Sequence, residues 1–441
     1  MAYSRVIDAK GLNIPEFQYS SFAENVKNET VIVPSTSQVA FGGYSTFDFR
    51  EKSCLLNDIV LQFQLQNPTN GTNNPNPNTS IDADMYPRMI PCFGWFTRIE
   101  IVQNNNIIDT IYPISNFLKH QMFTSDEERK KINQGAGEYS NSVNTYYKTW
   151  HNDSDYWYLP LWTYFKLNHI PLLYPKDDIQ IRLYMDDLKN CVIQDPEAGT
   201  PAFSISGLSC NLICSVTRLG QDVNLFRLQS LNRKVEHYKF LELRYGTYAI
   251  SSGVSSTSIV MNSITGNVAF LFVVVRPQSK SSAIIPGPYQ QFYYYPVHNF
   301  SILDSTSTNI SGGQAIPFPL LKQYLSRKFT SSSYYTDNYD LAQIALNVST
   351  PWFPSFIPTQ NGNPKVGPYA PFSNAIIYAF ADNPVDAANS GVSSGAFRFQ
   401  GSEQLQLTFA QALPEGVNID IYAYVESVVE ISPTYVKKIN L

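Results

Sequence analysis

"RIEIVQNNNIIDTIYPISNFLKHQMF", residues 98 to 123, holds an alternating run, an Asn-rich turn, a second apolar run, a Pro and then a stretch with helical spacing. Arg98 to Val102 carries the two-residue period of a half-buried strand, and Ile107 to Ile111 reads as its hairpin partner across the Asn turn. Beyond Pro113, the residues Phe117, Leu118, Met122 and Phe123 fall at i, i+1, i+5 and i+6, which suits a short helix with one buried stripe. Such a helix reads as a cap over the end of a β-sandwich. None of these side chains has the pattern of a nucleophile, a metal ligand or a phosphate cradle.

The second half of the chain answers this segment with "FSILDSTSTNISGGQAIPFPLLKQYLSRKF", residues 300 to 329. Both helical parts, "ISNFLKHQMF" and "FPLLKQYLSRKF", put a Lys after two apolar residues and end on Phe. The agreement extends further along the chain. "DIVLQFQLQNP" from Asp58 and "NVAFLFVVVRP" from Asn267 each run from a polar residue through an apolar strand to a Pro that marks the strand's exit, since Pro cannot donate to a central ladder. An aromatic, Pro-containing connection follows each strand. Late in each half come "IQIRL" at Ile179 and "LQLTF" at Leu405, and then a last apolar strand, "NLICSV" or "IDIYAYV". Matching features lie about 200 residues apart in the same order, which is the signature of an internal repeat.

Further strand-like segments, such as Thr30–Val33, Ile59–Leu65, Leu212–Thr217, Val268–Val275 and Ile419–Val425, are bounded by Gly, Pro, Asn and Ser clusters. That spacing belongs to an all-β sandwich or barrel. Each copy reads as eight antiparallel strands with a short helix inserted midway, the content of a jelly roll. The fold class is therefore all-β, two tandem jelly rolls with short inserted helices and long loops. The divisions are an N-terminal arm over 1–26, a first jelly roll over 27–220, a linker over 221–236 and a second jelly roll over 237–441. Two long connections rich in Tyr and Trp, 125–157 and 330–372, read as loops that pack on each other or on a neighbour.

Composition sets the boundaries of function. The chain has 441 residues, 14% of them aromatic and only 15% charged, against roughly a quarter charged in an average soluble domain. So few charges imply a surface largely covered by partners. A net charge of −5 gives no global basic field to draw nucleic acid, and no sequence-specific nucleic acid binding is expected. The most apolar run, "VAFLFVVV", is far too short to span a bilayer, and the N-terminus shows no apolar core of signal-peptide length. The expectation is a chain made and kept soluble. Five Cys without an export signal read as buried reduced thiols.

Several residues invite a chemical reading. "GVSSG" (391–395) fits the serine-hydrolase pattern around Ser393, but "DNPVDAANS" before it reads as loop where that pattern needs a strand. His120, His151, His169, His237 and His298 are scattered, and Cys210 and Cys214 read as same-face residues of one strand rather than a zinc knuckle. Asp177/Asp178 and Asp186/Asp187 flank "IQIRLYM" as turn residues, and Gly42-Gly43 lacks the Lys-Ser/Thr of a phosphate loop. No catalytic, cofactor-binding or metal-ligating residue is nominated, and no cofactor and no enzymatic activity are expected.

At 159–185, "LPLWTYFKLNHIPLLYPKDDIQIRLYM" sets Leu159, Pro160 and Trp162 before an apolar step at Ile170, Pro171 and Leu172 and then an alternating strand. With the duplicated plan, this resembles the double jelly-roll major capsid proteins of icosahedral double-stranded DNA viruses, of the type found in nucleocytoplasmic large DNA viruses, virophages and polinton-like viruses. The chain departs from the pattern after Leu173, where "YPKDD" replaces a more apolar run. The resemblance spans about Thr30 to Ile431 and implies a homotrimer whose six jelly rolls form a pseudo-hexagonal capsomer. The implied partners are neighbouring capsomers, penton and minor or cement capsid proteins, with an internal membrane as a further candidate. By the same resemblance the long loops face outward, the N-terminal arm faces inward, and the protein resides in the virion around a double-stranded DNA genome after assembly inside the host cell. The alternative reading is a tandem jelly-roll glycan-binding or glycan-processing protein, which predicts an export signal and a cleft with convergent carboxylates.

Overall fold

The computed structural model describes residues 26–52, 54–66, 91–136, 156–168, 178–193, 204–219, 235–278, 295, 297–311, 375–409 and 411–440 apart from 433, with short strands at 5–7, 13–15, 88–89, 138–141, 144–147, 170–172, 359–360 and 363–364. The expected helix at 318–329, most of the 330–372 connection, most of the arm and most of the linker lie outside the described residues.

The first half contains β1 (Val26–Pro34), β2 (Tyr44–Phe49), β3 (Cys54–Gln66), β4 (Phe96–Gln103), β5 (Asn106–Ile111), α1 (Pro113–Phe123), α2 (Asp126–Gly135), β6 (Tyr156–Pro160), α3 (Tyr164–Asn168), β7 (Ile179–Met185) and β8 (Gly207–Leu219). The second contains β9 (Glu236–Ile250), β10 (Ser256–Val260), β11 (Thr265–Pro277), β12 (Val297–Leu303), β13 (Ile376–Ala379), α4 (Pro384–Ser390), β14 (Phe397–Gln400), β15 (Gln404–Phe409), β16 (Val417–Ile431) and β17 (Val436–Asn440).

The two halves share one topology. In the first, one sheet runs β6-β3-β8-β1 and the other β2-β7-β4-β5; in the second, the orders are β13-β11-β16-β9 and β10-β15-β12. Strand for strand, β1, β2, β3, β4, β6, β7 and β8 correspond to β9, β10, β11, β12, β13, β15 and β16. All these pairings are antiparallel, and neighbours come from distant parts of each half, as in a jelly roll. The segments "IQIRL" and "LQLTF" are β7 and β15, and "NLICSV" and "IDIYAYV" lie in β8 and β16. The repeat read from the order of sequence features is a repeat of architecture.

Local chemistry explains the hairpin of residues 98–123. Asn104 and Asn105 both take positive φ, 50° and 62°, and form the two-residue loop between paired Gln103 and Asn106. Asn tolerates the left-handed region that such a hairpin turn requires. In the second half β12 enters a similar turn: Asp304 accepts bonds from the amides of Thr306 and Thr308, both 2.8 Å, and Leu303 bridges to Asn309.

A β-bulge fixes how the two copies align. In β3 the extra residue is Asn57, because Ser215 pairs with Asp58 while Val216 pairs with Leu56. In β11 it is Ala269, because Tyr424 pairs with Phe270 while Val425 pairs with Val268. Matching the bulges equates Asp58 with Phe270, three residues away from the Asn267 that the Pro spacing suggested. Each bulge also flips the strand's inward and outward faces, so this register decides which residues share a side.

Inside the first half, Trp95 anchors the core, with its ring 5.4 Å from Phe63, 5.2 Å from Trp157 and 5.7 Å from Phe41. All five Cys are buried and outside any disulfide, as the sequence suggested. Two segments read as loop are helical. α2 opens the 125–157 connection, its Ser125 Oγ accepting from the Glu128 amide at 3.3 Å. α4 occupies "PVDAANS", with Pro384 in its first turn, Asn383 as its N-cap and Gly391 as a left-handed C-cap. Both carry ordinary start signals, Ser-x-x-Glu in one and Asn-Pro in the other.

Candidate functional site

Among the described residues, several of those with conceivable chemistry meet structural partners. Ser393 Oγ donates to Glu426 Oε1 at 2.9 Å, in a turn that follows a helix instead of opening one. The first glycine of its motif is explained by packing: Gly391 has φ 70°, and a Cβ there would sit 2.5 Å from the Lys239 carbonyl oxygen and 2.6 Å from Phe240 Cα. Cys210 and Cys214 lie on the inner face of β8, and burial raises both thiols; burial also pushes the Cys54 thiol up to about 11. His120 is buried, its Nε2 donating to the Pro160 carbonyl at 3.1 Å. Burial, reinforced by Lys166, holds it well below the usual imidazole range and so neutral. His237 pairs with Glu430 at 3.1 Å; His151 and His169 lie outside the described residues.

Of the Asp pairs, Asp186 accepts from Asn190 Nδ2 and the Asp187 amide, both 2.8 Å, Asp178 pairs with Lys52, and Asp177 lies outside the described residues. Gly42 turns between strands with φ 72°, its amide bonded to the Asp186 carbonyl at 2.9 Å. Among the described residues no group of three or more His, Cys, Asp or Glu could hold a metal. One half-open cleft of about 280 Å³ lies at the turn end of the second sheet of the first half, lined by Asp48, Arg50, Asn105 and Asp178 among others. Its acids are neutralised, since Arg50 pairs with Asp48 at 2.7 Å.

Among the described residues, buried aromatic and charged groups gather at the seam between the two halves. α1 does not cap one sandwich end: it lies between the sandwiches. Every residue from Ile114 to Phe123 whose burial is described is buried, so the single stripe expected from Phe117, Leu118, Met122 and Phe123 is only part of its contact. Phe93 meets Phe117 at 5.2 Å on the side of the first half. On the side of the second half, Phe123 lies 5.2 Å from Phe270 and 6.5 Å from Phe272, and Lys119 Nζ sits 4.4 Å over the Tyr424 ring. Tyr112, the N-cap of α1, completes a trio with Tyr245 at 4.5 Å and Tyr422 at 6.2 Å. Tyr164 of α3 adds a contact to Phe240 at 5.5 Å.

Phe270, Phe272, Tyr424, Tyr422 and Tyr245 all lie on the outer face of the sheet formed by β11, β16 and β9. Paired positions of neighbouring strands share a face, and Phe272, Tyr422 and Tyr245 form one row across the three. The continuous apolar character of β11 follows, since one face covers its own sandwich core and the other receives α1. β17 then ties the seam. Asn106 Nδ2 donates to the Val436 carbonyl at 3.0 Å, and Lys438 Nζ donates to the Ile108 carbonyl at 3.3 Å.

Charges are buried in this seam, and they are compensated. Glu242 accepts from Lys438 Nζ at 2.5 Å and Ser427 Oγ at 2.9 Å, and Arg244 approaches it at 3.1 Å. A desolvated charge is tolerated only with such partners. Asp109 and Lys119 are also buried. Burial pushes the Asp109 carboxyl up to about 6, against the pull of Lys119, with Glu242 raising it further and Lys438 and the Thr110 amide lowering it. Burial brings Lys119 down to about 8, with Asp109 opposing. Sequence reasoning missed this group. The available signal was the lack of alternation in β11 and β16, which means burial on both faces, whereas isolated charges such as Asp109 and Lys438 carry no such mark.

The seam sets two similar sandwiches in a fixed relation. Solved structures share that arrangement. VP54 of PBCV-1, in a crystal structure fitted into a reconstruction of the virophage Sputnik, superposes with a TM-score of 0.64 at 12% identity, over 95% of this chain and 97% of that one. The Faustovirus major capsid protein gives 0.59 at 9%, over 92% and 91%, and the mavirus major capsid protein 0.54 at 11%, over 100% and 92%. No family model matches the chain, and no curated protein matches it at the level of sequence. The likeness spans both halves and establishes the fold, a double jelly roll.

Proposed function

We propose that this chain is the major capsid protein of an icosahedral double-stranded DNA virus, a structural and not a catalytic protein. The observation that carries the reading is the near-complete mutual coverage with viral major capsid proteins, which takes in both jelly rolls and the junction between them. A protein that used one jelly roll as a binding module would need no such fixed pairing. In this reading the chain forms a homotrimer, three two-lobed subunits giving a near-hexagonal outline under three-fold symmetry. Capsomers then meet neighbouring capsomers, pentons and minor or cement proteins, with an internal membrane as a further partner of the arm. The arm comprises 1–26, the jelly rolls 27–220 and 237–441, and the linker 221–236. Synthesis and assembly take place in the host cell, and the mature location is the virion.

The test is the mass and shape of the purified full chain, by light scattering and negative-stain microscopy. Three times the chain mass and pseudo-hexagonal particles are expected. A stable monomer at assembly concentrations would overturn the proposal.

A further inference from the structure

One sheet of the sandwich is built differently in the two halves. Across the outer face of β10, β15 and β12, the rows Ser256–Thr408–Asn299, Ser258–Gln406–Ser301 and Val260–Gln404–Leu303 hold no charged side chain. The corresponding strands of the first half, β2, β7 and β4, carry Tyr44–Tyr184–Arg98, Thr46–Arg182–Glu100 and Asp48–Gln180–Val102. The polar side chains among them form one connected ladder. Arg50 Nη2 donates to Asp48 at 2.7 Å and Gln180 Nε2 to the same carboxylate at 2.9 Å, while Arg182 Nε donates to Gln180 Oε1 at 2.8 Å. Arg182 then reaches Glu100 at 3.8 Å, and Glu100 accepts from Arg98 Nε at 2.9 Å and from the Tyr184 hydroxyl at 3.2 Å. At one end of the ladder stands Tyr44, 48% exposed, its ring 4.8 Å from that of Tyr184. At the other end lies the cleft of about 280 Å³, where Val102 supplies an apolar patch beside Asp48, Gln180 and Asn105.

Stability does not account for the ladder. Ion pairs on a solvent-side face contribute little, and the second half folds the corresponding sheet without them. What the bonds do is hold planar polar groups in fixed orientations, so that little side-chain freedom is left to lose when a ligand binds. Adjacent fixed donors and acceptors match the hydroxyl groups of a sugar, each of which can both donate and accept. A half-exposed aromatic ring at one end and an apolar patch in a small cleft at the other suit the C–H faces of sugar rings, with the few polar groups between them setting orientation. A charged ligand is matched less well, since Asp48 and Arg50 neutralise each other beside the cleft and Glu100 is held by Arg98 and Arg182. We propose that the outer face of β2, β7 and β4 in the first jelly roll is a binding site for an uncharged oligosaccharide, with one ring in the cleft beside Gln180 and the following rings running past Arg182 to Tyr44. From Asp48 to Tyr44 is about 13 Å of strand, room for a short chain of rings. The site adds a ligand to the capsid reading and does not depend on it.

The experiment screens the full chain on an array of high-mannose N-linked glycans and uncharged polysaccharide fragments, which separates a sugar carried on protein from one of a cell wall. The best-bound glycan is then titrated, free in solution, by calorimetry. Tyr44→Ala and Gln180→Ala, at opposite ends of the face, are each expected to weaken binding at least fivefold while melting close to the unaltered chain. Gln406→Ala, on the uncharged face of the second half, is expected to leave binding unchanged. Failure to bind any uncharged glycan in solution would overturn the site, and so would Tyr44→Ala and Gln180→Ala chains that bind within twofold of the unaltered one. Equal weakening by Gln406→Ala would overturn it as well, because binding would then not belong to the first half. None of these outcomes touches the capsid reading, which the particle mass tests separately.

Discussion

β3 and β11 are the same strand of the same architecture, and they are buried differently. β3 alternates, with Leu61 and Phe63 in the core and Val60, Gln62 and Gln64 half-buried, whereas β11 is buried without a break from Val268 to Val275. The sandwich core is common to both, so the difference must come from the outer face. The second half receives α1 there, whereas Val60, Gln62 and Gln64 on the matching face of the first half stay only half-buried. A period of two reports one buried face and its absence reports two, which makes the contrast a record of assembly inside the chain.

The sharpest way to break that contrast is to empty the seam. Phe123→Ala removes the ring that covers Phe270 and Phe272, and a loss of about 3–5 kcal/mol is expected in urea denaturation; a loss under 1 kcal/mol would mean the seam carries little stability. Next is the helix that packs beside it. Gly391→Ala should cost about 1–3 kcal/mol or more, because the left-handed backbone and the close approach to β9 both exclude a side chain. A neutral effect would show that α4 can shift away from β9.

The buried charges sharpen the comparison through pH. Asp109 has a folded pKa of about 6, above its ordinary value of 3.8. Between those values the folded state holds a proton that the unfolded state has released, so this group's contribution to stability falls as pH rises from about 4 to 6. Lys119, lowered to about 8 from 10.5, acts in the other sense: the unfolded state holds the extra proton, and stability rises from about 8 to 10.5. The seam is therefore least favoured by this pair between about 6 and 8. Asp109→Asn should flatten the acid limb in denaturation midpoints measured from pH 4 to 7, and an unchanged limb would place its origin elsewhere. The smallest effect belongs to Ile32 of β1, which is 61% exposed. Ile32→Ala in dilute solution should change stability by no more than about 0.5 kcal/mol, and a larger loss would mean that the face already has a partner within the chain.

Much of the fold was legible in particular residues. Ile179–Met185 is a strand to the residue because its alternation is complete, and Asn104-Asn105 turns the hairpin because few other residues accept positive φ twice. The partner of Ser393, Glu426, was not legible, because it lies 33 positions further along the chain. α2 and α4 went unread because their polar, turn-rich composition outweighed sound capping signals. α1 was read as a helix with the right apolar residues, but its place between the sandwiches was not readable: Ser115, Asn116, Lys119 and His120 look solvent-facing until a second surface covers them.

The sequence by itself determined that the chain is β and that it is one plan used twice. Periodicity and order encode those facts locally, because each residue's polarity reflects how many of its sides meet water. Only the tertiary structure decided what meets the second face, in which register the two copies correspond, and which charges are shut in between them. Those depend on contacts between residues more than 100 positions apart, and on bulges at Asn57 and Ala269 that shift a strand's faces without altering its composition.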